Sequence, residues 1–103
     1  MYRHRIRQQV LYGHFREFMQ IADELNSIAR ARGWRESTIW TPTVGTSNEV
    51  IIEAEYPDLA TFEQEDQAFI SDPDAMKLLR SLSQHVVQGS AQSELLEPAP
   101  HPA

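Results

Sequence analysis

Cysteine is absent from this 103-residue chain. Without it there is no disulfide, thiolate nucleophile, iron–sulfur cluster or cysteine-based zinc site, so several reaction classes drop out together. Long apolar runs are missing too; none approaches the roughly 20 residues of a membrane helix, and no membrane partner is expected. Basic residues are few. Nine Lys and Arg against 15 Asp and Glu leave a formal charge of −6, which opposes the counterion release by which proteins bind phosphate backbones, so no nucleic-acid partner is expected. The sequence has no Gly-rich phosphate loop, no GxSxG elbow or SxxK pair for a serine nucleophile, and neither HxH nor HExxH for a metal. No metal site or cofactor is expected. The Arg-rich start, Tyr2-Arg3-His4-Arg5-Ile6-Arg7, is followed by Gln8, Gln9, His14 and Arg16 rather than the apolar stretch of a secretory peptide, which points to a cytoplasmic protein.

What is present is periodic. Residues 2 to 10 alternate, with Tyr2, His4, Ile6 and Val10 on one side and Arg3, Arg5 and Arg7 on the other, as in a half-buried strand. From His14 to Arg32 the period lengthens, and Phe15, Phe18, Ile21, Ala22, Leu25, Ile28 and Ala29 form one helix face that Gly33 closes as a C-cap. Ser37 to Val44 is rich in β-branched and aromatic residues, and Gly45-Thr46-Ser47-Asn48 turns the chain. Pro42 places that strand at a sheet edge. Glu49 to Tyr56 alternates again, with Val50, Ile52, Ala54 and Tyr56 opposite Glu49, Ile51, Glu53 and Glu55.

Asp58 is positioned to cap a helix carrying Leu59, Phe62 and Phe69, and Ser71-Asp72-Pro73 starts another carrying Met76, Leu79, Leu82 and Val86, ended by Gly89-Ser90. A short strand from about Ser90 to Glu97 completes the pattern. The reading is one domain over 1–97 and a Pro-rich tail over 98–103.

Strand, helix, hairpin, helix, strand is a ferredoxin-like βαββαβ order: an α+β fold with a four-stranded antiparallel sheet and helices on one face. If the first and third strands are antiparallel neighbours, Arg3, Arg5 and Arg7 meet Glu49, Glu53 and Glu55 across the open face as a ladder of charges. That ladder is either a solvated surface, with pairs contributing about 0 to 1 kcal/mol each, or, with Trp40 on the edge strand, the surface on which a second copy docks.

Asn48-Glu49-Val50, Tyr56-Pro57-Asp58-Leu59 leading to Phe62-Glu63, Ser71-Asp72-Pro73 and Gly89-Ser90 carry a resemblance, over about residues 2 to 97, to the dimeric α+β barrel superfamily. Its NIPSNAP-like domains look closest, beside EthD-like and antibiotic-biosynthesis-monooxygenase-like ones. The resemblance implies a homodimer whose two sheets face each other, and most such proteins have no known reaction. The haem-degrading members use an Asn, a Trp and a His around a pocket between sheet and helices. That set does not map here: the first strand offers His4 and Gln8 but no Asn, and neither Trp34 nor Trp40 falls on a helix facing the pocket.

His4 is the best-placed titratable group, on the helix-facing side of the first strand, and Tyr2 and Tyr56 are candidates to line the same space; each is otherwise a core residue. His14, His85 and His101 read as structural or mobile, and Glu63, Glu65 and Asp66 as solvated surface. The expectation is a homodimeric NIPSNAP-like domain, non-catalytic or binding a small organic ligand between sheet and helices. The alternative is a cofactor-independent monooxygenase or isomerase for a small aromatic or polyketide-like substrate.

Overall fold

The computed structural model describes residues 1–102. Strand β1 (Tyr2–Gln9) leads to helix α1 (Phe15–Arg32), strands β2 (Thr38–Trp40) and β3 (Glu49–Tyr56), helices α2 (Leu59–Ile70) and α3 (Pro73–Leu82), a 3-10 turn (Ser83–His85) and strand β4 (Gln92–Leu96). The four strands form one sheet in the order β2-β3-β1-β4, with every neighbouring pair antiparallel. This is the ferredoxin-like arrangement expected of the element order, with its second crossover divided between α2 and α3.

Capping chemistry sets the helix ends. Gly33 takes the left-handed conformation (φ 76°) that ends α1, and Trp34 N–H returns to the Ala29 carbonyl. The Asp58 carboxylate accepts from Thr61 N–H at the start of α2, and the Asp72 carboxylate accepts from both Asp74 and Ala75 N–H at the start of α3, where Pro73 needs no partner. Arg32, in the last turn of α1, pairs with Asp72 at 2.8 Å and Asp74 at 3.2 Å, tying the end of one helix to the start of the other.

Alternation assigns the two faces of the sheet. Val10, Val50 and Ile52 point to the helices and pack with Phe18 and Ala22 of α1 and Leu82 of α3 in the core; Phe18 and Val50 are essentially sealed from solvent. Tyr2 pairs with Tyr56, His4 with Ala54 and Ile6 with Ile52, so these residues share that face.

Two element ends and the facing of one residue differ from the sequence reading. The second strand stops at Trp40 rather than Val44: Thr41 and Pro42 leave the ladder, and the return to β3 is a wide loop instead of a tight hairpin. The strand is at the edge, but Pro42 lies beyond it. The third helix ends at Leu82, not Gly89, because the chain tightens into the 3-10 turn and Val86 becomes extended to bridge Val10. Leu59, placed on an inward face by its spacing, is 42% exposed at the first turn of α2.

Candidate functional site

Helices and sheet do not close completely. Between them lies a cavity of about 430 Å³ whose floor is His4, Ile6 and Gln8 of β1 with Ile52, Ala54 and Tyr56 of β3. Leu25 and Ala29 of α1, Phe62 and Phe69 of α2, Leu79 and Leu82 of α3, and Trp34 form its walls. Small side chains leave the space: Ala54 and Ala29 occupy positions where a larger residue would fill it. Leu79 is 41% exposed because its side chain borders the cavity mouth instead of joining the packed core.

Aromatic rings shape one end. Phe62 meets His4 and Tyr56 edge-on, each at 5.2 Å between ring centroids, and Trp34 meets Phe69 in the same manner at 6.3 Å. His4 Nε2 is 2.9 Å from Ser93 Oγ, which fixes the ring across the β1–β4 seam. Burial pushes the His4 pKa down, favouring the neutral imidazole, and nearby Asp66 opposes this weakly. Burial pushes the Tyr56 hydroxyl up, helped by Glu65 and Asp66, with Arg35 acting the other way.

Of the sequence-stated candidates, His4 and Tyr56 line this cavity and Tyr2 does not. Tyr2 is half-buried at the outer end of β1 and borders a separate depression of about 250 Å³ with Arg3, Glu55, Leu96 and Glu97. Tyr2 shares a sheet face with His4 and pairs with Tyr56 but is not part of the lining of the larger cavity. Of the acidic trio read as solvated surface, Glu63 and Asp66 are exposed, although Asp66 borders the cavity; Glu65 is part-buried there and accepts from Arg35 N–H. Asn26 was not singled out in sequence. Its amide donates to Ser37 O and accepts from Ser37 N, both at 2.8 Å, so it clamps the chain entering β2 to α1.

The opposite face holds the charge ladder. Arg3 reaches Glu55 at 2.6 Å and Glu53 at 3.4 Å, Arg5 reaches Glu53 at 3.0 Å and Glu94 of β4 at 3.6 Å, and Arg7 reaches Glu49 diagonally at 3.3 Å. Trp40, 55% exposed, stands on this face beside Ile51, its partner in the β2–β3 register. Away from both faces, His14 and His85 bring their Nδ1 atoms to 2.9 Å, a pairing hidden in sequence by 71 intervening steps of chain. Among the described residues no group of three or more His, Cys, Asp or Glu could hold a metal ion, and no helix is long and apolar enough to cross a membrane.

A ferredoxin-like α+β domain with a cavity beneath its helices and a charged open sheet face is the class these features define. The chain belongs to the NIPSNAP family, whose pattern it matches over residues 9–102. It is similar in structure to an uncharacterised NIPSNAP domain protein from Burkholderia xenovorans (TM-score 0.78, 19% identity, 96% of this chain and 95% of that one). A NIPSNAP family protein from Agrobacterium tumefaciens is comparable (TM-score 0.76, 16% identity, 95% and 92%). An antibiotic biosynthesis monooxygenase also shares the fold (TM-score 0.73, 12% identity, 97% and 100%). At such identities the likeness is one of fold alone. No curated protein matches the sequence.

Proposed function

We propose that this NIPSNAP domain binds a small, largely apolar organic molecule in the cavity between sheet and helices and works as a homodimer. The cavity of about 430 Å³ carries the ligand reading: its volume lies in the range of small-molecule sites and its walls are mainly aliphatic and aromatic. Ala54 gives the test. Ala54→Leu fills the floor between Ile52 and Tyr56, so a folded variant loses binding of aromatic probes that the natural chain takes up in equilibrium dialysis. Unchanged uptake by this variant overturns the reading.

The dimer reading rests on the other face. Arg3, Arg5, Arg7, Glu53 and Glu55 with Trp40 make a broad surface on which the charges are already paired, so a second copy meets little unpaired charge while burying the indole and Ile51. Light scattering behind size exclusion is expected to give twice the chain mass at micromolar concentration. A monomer under those conditions removes it.

One feature favours a catalytic alternative, a cofactor-independent monooxygenase or isomerase: His4 borders a largely apolar cavity where burial lowers its pKa, which favours the neutral imidazole a general base needs. Under that reading His4→Ala abolishes turnover of an aromatic or polyketide-like substrate; under simple binding it changes affinity alone.

A further inference from the structure

Building on the cavity as a ligand site, we propose that Gln8 is the specificity-determining residue. It selects a neutral, mostly apolar aromatic molecule bearing a hydroxyl or carbonyl group. The inference starts from which polar side chains in the cavity are already occupied. His4 is engaged with Ser93, both ends of the Asn26 amide are spent on Ser37, Glu65 accepts from Arg35 N–H, and the Ser83 hydroxyl donates to the Arg80 carbonyl. Arg35, Asp66 and the Tyr56 hydroxyl gather at the other end, where the two charges act on the tyrosine.

Those three side chains also lack a hydrogen-bond partner among the described residues, but Gln8 is a neutral amide at the opposite end of the cavity. It pairs with the sealed Val50 and lies two residues from the buried Val10, so its side chain sits at the end of the cavity nearest the packed core. Among the described residues its amide makes no hydrogen bond, and both of its polar atoms remain accessible to water. An amide offers two donors and one acceptor. In the free protein water satisfies these groups; a ligand hydroxyl or carbonyl takes the place of that water, whereas a ligand without one displaces it and leaves the amide unmatched.

Neutrality follows from the surroundings. Gln8 pairs with Val50 across the sheet, Arg35 is the one arginine or lysine in the cavity lining among the described residues, and burial lowers the His4 pKa, which favours its neutral form. A carboxylate bound there would lose its water without gaining a cation.

The experiment titrates the full chain with three probes of nearly equal shape, 2-naphthol, 2-methylnaphthalene and 2-naphthoate, followed by calorimetry or by chemical-shift changes. The natural chain is expected to bind 2-naphthol about 10-fold more tightly than 2-methylnaphthalene, the worth of one hydrogen bond, and 2-naphthoate more weakly than 2-naphthol. In Gln8→Leu the first two affinities converge to within about 2-fold, with 2-methylnaphthalene bound at least as tightly as before. Gln8→Met serves the same purpose should the leucine variant not fold. An unchanged preference for 2-naphthol in these variants overturns the role of Gln8 while leaving the ligand reading intact, and tighter binding of 2-naphthoate overturns the neutrality claim. Failure of every probe to bind the natural chain overturns the ligand reading and this inference with it.

Discussion

Phe18 and His4 mark the two environments a side chain meets beneath the helices. Phe18 is sealed among Val10, Val50, Ala22 and Leu82; Phe18→Ala is expected to cost about 3–5 kcal/mol in urea denaturation, because deleting the ring leaves a void that close-packed neighbours refill only partly. His4 predicts a pH dependence. Its folded pKa lies below the ordinary value near 6.5, so the unfolded chain binds the proton more readily. The histidine's contribution to stability is therefore complete above about pH 7 and declines as pH falls through the ordinary value toward the folded one. Comparing urea midpoints at neutral and mildly acidic pH should show a smaller drop in His4→Gln than in the natural chain. Individual residues were readable where period decided them, as with Phe18 and His4. The His14–His85 contact was not, since no local pattern announces a pair made across the whole chain.

Single residues also govern whole elements. Gly33 has a φ of 76° and open space where a Cβ would stand, so Gly33→Ala meets backbone strain without a clash. The expected loss is about 1 kcal/mol, visible as a lower thermal midpoint, with Gly33→Asn losing less. In the ladder between β1 and β3, Arg5 and Glu53 are only 24% and 16% exposed. With a second copy over this face, Arg5→Met alone should destabilise more than Arg5→Met combined with Glu53→Gln, because the single change strands a covered charge. Denaturation of the three proteins checks the order; an isolated sheet face would show coupling under about 1 kcal/mol. Element identity was legible from alternation and caps, and Asp58, Asp72 and Gly33 all cap as their types imply. The end of β2 and the conversion of α3 into a 3-10 turn were less so. Both are set by tertiary pairing, in the second case the bridge between Val10 and Val86.

At the scale of the whole molecule, the cavity was anticipated as a place between layers, yet its lining was only partly legible. Tyr2 dropped out and Trp34, Asn26 and Glu65 entered, because the space depends on how far the helices stand off the sheet rather than on any strand's alternation. One feature of the topology reaches into how the chain is made. Of the four strands β1, one of the two interior ones, is synthesised first, and its neighbours on either side are β3 and β4, supplied roughly fifty and ninety residues later. Until Glu49–Tyr56 emerges, the Arg-rich leading segment has no pairing edge to meet, and its second flank stays open until Gln92–Leu96 arrives. Between the synthesis of β1 and that of β4 a nascent chain of this design therefore carries a strand awaiting partners, and any pause in translation over that interval prolongs its exposure to other unfinished copies.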